Sequence, residues 1–201
     1  MSDRIQRLSK SQYLRGLQCP KALWLHRPRP DLAPPITEKK QWLFDSGHEV
    51  GQLAQTFFEG GLLIDEPYRA TDRAIDATNR AIADGREVIY EATACSPDGA
   101  FSRIDILKKN GPAHRWDLIE VKQSTAVKDY HVDDISLQRY AFNGADYDVQ
   151  RSILMHLNRD YVRMGGIDPH QLFLLEDCTQ LAVSRMTAVP DLLANLLQVA
   201  N

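Results

Sequence analysis

Residues 100–122, AFSRIDILKKNGPAHRWDLIEVK, contain two apolar runs separated by a turn segment. The runs Ala100–Lys108 and Arg115–Lys122 are rich in the residues that favour strands, and Asn110-Gly111-Pro112 between them is typical of a loop. A third strand candidate, Glu87–Cys95, precedes them and is joined to them by Ser-Pro-Asp-Gly. Together these segments predict an antiparallel meander.

Helical patterns surround the meander. Apolar residues recur at three- and four-residue spacing from Glu38 to about Phe58, which indicates an amphipathic helix. Further predicted elements are a strand at Leu62–Ile64, a helix from Thr71 to Gly85, a helix from about Asp133 to Asn143, a strand at Gln150–Asn158 and a helix at Asp191–Val199. This order predicts an α/β domain over residues 37–201, whose mixed central sheet is flanked by helices on both faces.

Residues 1–36 have a different character. The first 30 residues contain seven Lys and Arg side chains against Asp3 alone. A serine-capped helix is expected from Ser9, a second helix from about Pro20, and a proline-rich extended linker from Arg27 to Pro35. We therefore expect a basic helical N-terminal arm, which is either a solvated helix face or a guide for a nucleic-acid backbone.

Composition narrows the class of protein. The 201 residues have a formal net charge of −3, which argues against a protein that coats nucleic acid by bulk charge. No apolar run is long enough to cross a membrane and the N-terminus does not resemble a signal peptide, so we expect a cytoplasmic protein. Three distant cysteines, Cys19, Cys95 and Cys178, provide neither a disulfide framework nor a four-cysteine zinc site.

Acidic and basic side chains come together within the meander. Asp105 lies between two isoleucines, where an unpaired charge is costly to bury. In the next strand Glu120 and Lys122 share one face, because side chains alternate along a strand. If the two strands pair, Asp105 lies beside Glu120, and two adjacent carboxylates favour Mg²⁺ or Mn²⁺ between them. A structural alternative stays open, in which Asp105 is a bonded strand carboxylate and Glu120 and Lys122 form a solvent-facing ion pair.

His48 is a further candidate. It stands in Ser46-Gly47-His48-Glu49-Val50-Gly51, on the polar side of the predicted helix. A lone helical histidine is more often a surface or core residue than a ligand. The flanking glycines, however, let a ligand or another chain segment approach closely, so both interpretations stay open.

These residues resemble a known family. The set Gly47-His48, Asp105, Glu120-Val121-Lys122 and a following helix with Gln138 and Tyr140 resembles the RecB-like branch of the PD-(D/E)XK nucleases. Residues 17–24, LQCPKALW, are similar to the N-terminal cysteine segment of CRISPR-associated RecB-type exonucleases. A bacterial family related to those exonucleases is similar over about residues 8–180, including the segments Leu8–Ser11, Gly51–Ala54 and His156–Arg163.

The resemblance implies a restriction-endonuclease-like fold and a set of roles. His48, Asp105, Glu120 and the main-chain carbonyl of Val121 would hold Mg²⁺ or Mn²⁺, with Lys122, Glu120 and Asp105 catalytic. Residues implied to contact DNA or to orient the site are Gln138, Tyr140, Lys21 and Arg15. Glu91, on the neighbouring strand, is an additional acidic candidate or a bonded core glutamate. The family's iron–sulfur versions need one N-terminal and three C-terminal cysteines, so no cluster is expected from this chain alone.

Two functions follow from this sequence. The first is a metal-dependent nuclease that hydrolyses DNA phosphodiester bonds, a RecB-like exonuclease acting on single strands or duplex ends, with a possible protein partner in a repair or defence system. The second is a catalytically inactive nucleic-acid-binding or assembly module that keeps the nuclease fold. It is favoured by the spacing of Gln138 and Tyr140, which stand two residues apart where RecB-type motifs place them four apart.

Overall fold

The structure is a computed structural model that describes residues 7–26, 29–112 and 114–200. The first six residues of the predicted arm and residues 27 and 28 of the predicted linker lie outside these ranges. Within them, every helix is too short or too polar to span a lipid bilayer.

The described residues form both strands and helices. In order they are β1 (Leu8–Ser9), α1 (Lys10–Gln18), α2 (Pro20–His26), α3 (Glu38–Phe57), β2 (Leu62–Leu63), α4 (Thr71–Ala83), β3 (Val88–Cys95), β4 (Ala100–Lys109), β5 (Arg115–Lys122), α5 (Asp129–Gly144), β6 (Asp148–Leu157), α6 (Pro169–Leu172), β7 (Phe173–Asp177), α7 (Thr179–Met186) and α8 (Val189–Val199). The predicted helices and strands are confirmed, and their ends differ from the predicted ends by about four residues or fewer. The predicted linker contains a 3-10 turn at Pro30–Leu32.

The predicted meander forms the centre of a mixed sheet. The strand order is β2-β3-β4-β5-β6-β7, and β1 pairs with β4 off this path. β3, β4 and β5 are antiparallel neighbours, as predicted, whereas β6 runs parallel to β5 and β7 antiparallel to β6. The predicted α/β fold with a mixed central sheet is confirmed.

Helices pack on both faces of this sheet because neighbouring strand residues alternate between two apolar clusters. Leu107 and Leu118 belong to one cluster, which also contains Ala74 of α4. Ile106 and Ile119, one residue along each strand, belong to the other, which contains Ala54 of α3. The four strand residues are each about 1% exposed or less. The apolar runs in the sequence therefore correspond to strands that are buried on both faces.

The N-terminal residues are part of this architecture. β1 pairs in parallel with the start of β4, with Leu8 opposite Ala100. α1 begins with the predicted serine cap, since Ser9 and Gln12 form a reciprocal capping box. Leu8 and Leu23 are fully buried in a cluster that includes Leu193 of α8. The described part of the predicted arm therefore packs into the fold, and a domain boundary at residue 36 stays a prediction.

Three elements between β6 and α8 were missed by the sequence analysis: α6, β7 and α7. β7 is an edge strand in which only Phe173 is buried, while Leu174 and Leu175 are 46% and 40% exposed. A strand with so little burial has no apolar alternation to reveal it. In α7 only Ala182 is buried, so its amphipathic pattern is equally weak.

Candidate active centre and its cleft

The candidate centre lies where β4 and β5 separate. Their ladder ends at the pair Ile106–Ile119, and Asp105 and Glu120 are the next residues on the two strands. Beyond this point the start of β4 pairs with β1 instead. The main-chain N–H of Val121 donates to Oδ2 of Asp105 at 2.6 Å, which ties the two strands together at the fork. The strand pairing expected from the sequence therefore places the two acids side by side.

Glu120 is held in a buried cluster of charges. Its Oε1 lies 2.7 Å from the ammonium nitrogens of both Lys122 and Lys10. The same two nitrogens lie 2.5 and 3.6 Å from carboxylate oxygens of Asp134. Nε2 of Gln138 donates to Glu120 Oε2 at 2.9 Å and to Asp134 Oδ1 at 3.0 Å. Glu120 is only 3% exposed, so the alternative of a solvent-facing Glu120–Lys122 pair is wrong: the pair exists, but it is buried.

Burial and mutual charge set the protonation states of this cluster. Burial and the neighbouring Glu120 raise the pKa of Asp105 to about 8, against the opposing effect of the two lysines. Burial also raises the pKa of Glu120, but Lys10 and Lys122 outweigh it and hold that pKa below its usual range. The pKa values of both lysines are raised, because Glu120 and Asp134 outweigh their burial. These shifts favour charged lysines, an ionised Glu120 and, below a pH of about 8, a protonated Asp105.

Glu91 extends the row of acids to a third strand. The ladder pairs Tyr90 with Ile106 and Ala92 with Ile104, so Glu91 stands opposite Asp105. Its φ of 58° lies in the left-handed region, a conformation that costs a residue with a side chain about 1–3 kcal/mol and is found preferentially at functional sites. Burial raises the pKa of Glu91, although Arg103 opposes this shift. Glu91, Asp105 and Glu120 thus occupy adjacent positions on β3, β4 and β5.

A cleft of about 820 Å³ opens between α3 and this row. Its walls contain the predicted residues His48, Glu91, Asp105, Val121 and Lys122. The other residues that line it are Leu43, Phe44, Gly47, Val50, Gly51, Gln52, Gln55, Tyr68, Ile106 and Gln123, and we call the space bounded by all fifteen the cleft. A Cβ added at Gly47 or Gly51 would meet no atom within 4 Å, so α3 presents a bare surface beside His48, as the flanking glycines suggested.

The donor chemistry of the cleft suits a hard divalent cation, which takes carboxylate oxygens and, for Mn²⁺, imidazole nitrogen. Asp105 and Glu91 supply such groups from adjacent strands, and His48 supplies one from α3. In residues 7–26, 29–112 and 114–200, however, no three His, Cys, Asp or Glu side chains converge closely enough to hold a metal ion as they stand. Both oxygens of Glu120 are already bonded, to the lysines and to Gln138. A cation that takes Oε1 of Glu120 as a ligand must therefore displace an ammonium group, whereas Oε2 accepts one N–H from Gln138 and has a second lone pair for a cation.

Comparison with solved structures places the fold. The crystal structure of an alkaline exonuclease (LHK-Exo) from Laribacter hongkongensis matches 98% of this chain and 91% of its own, with a TM-score of 0.51 and 13% sequence identity. This chain shares that exonuclease's fold. No family model matches the sequence, and no curated protein sequence matches it. At 13% identity the likeness concerns the fold alone, and it does not distinguish a RecB-like branch.

Five predicted residues are not among those that line the cleft: Glu120, Gln138, Tyr140, Arg15 and Lys21. The hydroxyl of Tyr140 hydrogen-bonds Oδ2 of Asp98, in the turn between β3 and β4. Arg15 lines a separate groove with residues of α1, α2 and α5, and Lys21 is exposed on α2. Gln138 is fully buried and acts on Glu120 rather than on the surface, which fits the predicted orienting role better than a backbone contact. The roles of Tyr140, Arg15 and Lys21 stay predictions.

Two members of the charge cluster were missed by the sequence analysis. Lys10 was counted only as a charge of the arm, although its ammonium group reaches Glu120 from α1. Asp134 stands four residues before Gln138 on α5, so both point from the same helix face, and an acid and an amide at this spacing were the available signal. Lys10 offers no local signal, because its partner is 110 residues away.

Proposed function

We propose that this protein is a nuclease that hydrolyses DNA phosphodiester bonds with a bound divalent metal ion, Mg²⁺ or Mn²⁺. The observation that carries the proposal is the row of Glu91, Asp105 and Glu120 at the strand fork, with Lys122 beside it and His48 across the cleft. A solved structure that shares this fold is that of an alkaline exonuclease, which supports digestion from strand ends. The RecB-like assignment belongs to this proposal and rests on the sequence motifs.

Different residues would hold the metal ion, stabilise negative charge and position Glu120. A bound divalent ion would supply an activated water and an electrophile for the phosphate. Asp105, Glu91, His48, Glu120 and the main-chain carbonyl of Val121 would hold it. Lys122 keeps its proton, since its pKa is raised by Glu120 and Asp134 against the effect of burial, so it stabilises developing negative charge and does not act as a base. Gln138 holds the Glu120 carboxylate in place through one N–H.

A second function has one observation in its favour. Glu120 is closed off by two lysines and an amide, as in a purely structural ion cluster. A non-catalytic nucleic-acid-binding module would keep this cluster for stability alone. It requires that Lys122→Gln leave DNA affinity and every activity unchanged.

The test is a cleavage assay with the purified chain and Mn²⁺. Substrates are end-labelled linear DNA, single- and double-stranded, and circular DNA of both kinds. We expect linear DNA to be degraded from its ends and circles to persist. Asp105→Asn and Lys122→Gln should each lower the rate by about 100-fold or more, the scale on which loss of one preorganised transition-state contact is felt.

Lys109→Gln, at the far end of β4, is the matched control and should cleave as the wild type does. Unfolding curves of every variant show whether a lost rate reflects a lost fold. Absence of cleavage by the wild type on all substrates, together with absence of Mn²⁺ binding by calorimetry, would refute the proposed function.

A further inference from the structure

Exposed aromatic side chains border the outer part of the cleft. Phe44 of α3 is 52% exposed and Tyr68, in the turn before α4, is 67% exposed, and both line the cleft that contains Asp105 and Lys122. Leu43, which also lines the cleft, is 40% exposed. Large apolar side chains left bare together mark a binding surface rather than a core.

The polar groups among these aromatics suit bases and phosphates. The ammonium group of Lys40 lies 5.8 Å from the centre of the Phe44 ring. Amide side chains of Gln52 and Gln123 line the same cleft, and both can donate and accept hydrogen bonds. Gln123 accepts from Ser46 and donates to the carbonyl of Leu43, which fixes α3 against the end of β5.

Two arginine side chains lie beyond Tyr68. Tyr68 lines the cleft and also a second depression of about 310 Å³, formed with Arg7, Ser9, Gln12, Arg69, Thr71 and Phe101. We call this second depression the arginine depression. The guanidinium of Arg7 pairs with Asp72 and contacts Thr71, whereas Arg69 is exposed in the same turn as Tyr68. One path therefore leads from the acidic row, past two aromatic rings, to arginine side chains.

We propose that this path binds a single nucleic-acid strand, whose bases stack on Phe44 and Tyr68 and whose backbone is held by Arg69 beyond Tyr68. The inference rests on the proposed function, because it takes the acidic row as the place of cleavage. It adds the substrate class: the bound strand is unpaired next to the scissile phosphate and is recognised without regard to sequence. Every base has a π-face, so stacking on Phe44 and Tyr68 tolerates all four bases.

Duplex DNA does not fit the same contacts. In a duplex the faces of the bases are covered by their neighbours, so rings such as Phe44 and Tyr68 reach them only at frayed ends or single-stranded tails. The rings therefore select an unpaired strand over an intact helix. A protein partner would also cover the aromatic patch, but it gives no reason for Phe44 and Tyr68 to border a cleft that leads to Asp105 and Lys122.

The experiment measures binding apart from cleavage. The probe is a single-stranded oligonucleotide with 2-aminopurine at successive positions, titrated with the full chain in EDTA, and an unlabelled duplex of the same sequence serves as competitor. Stacking on an aromatic ring quenches 2-aminopurine fluorescence. We expect quenching at two positions, tighter binding of the single strand than of the duplex, and losses of affinity of about 5- to 100-fold for Phe44→Leu and for Tyr68→Leu.

Arg69→Gln tests the other end of the path. The affinity of this variant for the single-stranded oligonucleotide should fall less steeply with salt than that of the wild type. The slope of log K against log[salt] should be smaller in magnitude by about 0.7, the value for one phosphate contact on a single strand. The matched control is Arg115→Gln, at the other end of β5 from Lys122. This control should bind as the wild type does.

The outcomes separate this inference from the proposed function. If Phe44→Leu and Tyr68→Leu bind the single strand as the wild type does while Mn²⁺-dependent cleavage persists, the stacking path is refuted and the nuclease stands. If stacking and salt effects appear as expected but the wild type neither cleaves DNA nor binds Mn²⁺, the path stands as a binding surface and the proposed nuclease is refuted. Equal binding of duplex and single strand by the wild type would also overturn the inference.

Discussion

Replacing Lys10 by methionine removes one of the two cations that hold Glu120. The Lys10 side chain is 25% exposed, whereas those of Glu120 and Asp134 are 4% and 5% exposed. Two lysines and two carboxylates balance, so Lys10→Met leaves one uncompensated negative charge in the cluster. Breaking a buried pair in this way costs about 3–5 kcal/mol. Because Lys122 stays 2.7 Å from the same oxygen and Lys10 is partly exposed, we expect about 2–3 kcal/mol.

The assay is urea unfolding at pH 7.5 in EDTA, followed by tryptophan fluorescence and circular dichroism. A second variant combines Lys10→Met with Asp134→Asn, which restores the charge balance with Lys122 and Glu120 alone. This double variant should recover more than half of the lost unfolding free energy. Lys21→Met, on the exposed surface of α2, is the control and should differ from the wild type by less than about 0.5 kcal/mol.

Two results would refute the reasoning. One is a Lys10→Met protein that is as stable as the Lys21→Met control. The other is a double variant that is no more stable than Lys10→Met, because charge balance would then not be the cause. A divalent ion gives a further check: Mn²⁺ replaces a missing positive charge, so it should raise the melting temperature of Lys10→Met by more than that of the wild type.

Three other predictions concern the same fold. In EDTA at pH 7, Asp105→Asn should raise the unfolding free energy by about 1–4 kcal/mol while it lowers the cleavage rate by about 100-fold or more, because burial raises the pKa of Asp105 to about 8, so folding takes up a proton that Asn does not need; an unfolding free energy below that of the wild type would contradict this. Burial, with nearby lysines, lowers the pKa of His131 to about 4 from an ordinary value of 6.5, so the unfolded chain binds more protons between these pH values. The unfolding free energy should therefore fall by about 1–3 kcal/mol as the pH drops from 6.5 to 4, and the fall should be smaller in His131→Asn; identical pH profiles would disprove the assignment. Gly144→Ala should destabilise by about 1–3 kcal/mol, since its Cβ would lie 2.6 Å from Cβ of Ser96, whereas Gly47→Ala, in the open interior of α3, should stabilise by about 1 kcal/mol; thermal melts of the two variants that shift in the same direction would overturn this comparison.

The central strands were predictable because their residues report burial on two sides. Ile106 and Leu107 are neighbours in sequence and pack into different apolar clusters, as do Leu118 and Ile119. Such apolar runs predict buried strands even when the segments that pack on them are unknown. β7 shows the limit, because an edge strand with one buried residue resembles a loop in sequence.

The acidic row was partly predictable and the charges around it were not. Alternation along β5 places Glu120 and Lys122 on one face, and the short connection to β4 brings Asp105 beside them. Sequence alone could not show that Lys10 neutralises Glu120, because this contact depends on how α1 packs rather than on local pattern. The same holds for Phe44 and Tyr68, which come together only through the placement of α3 and the turn before α4.

The pairing of β1 with β4 has a consequence for the order in which the proposed active centre is assembled. Leu8 is synthesised long before its partner Ala100. Lys10 is likewise synthesised long before Glu120, which follows it by 110 residues. Contacts between such distant residues form late in folding, because the loop must close before they contribute. A nascent chain that ends before Glu120 therefore contains Lys10 but neither of the carboxylates that Lys10 contacts, Glu120 and Asp134. Synthesis must pass β5 and α5 before the fork can close, so under the proposed function a nascent fragment cannot cut nucleic acid at the ribosome.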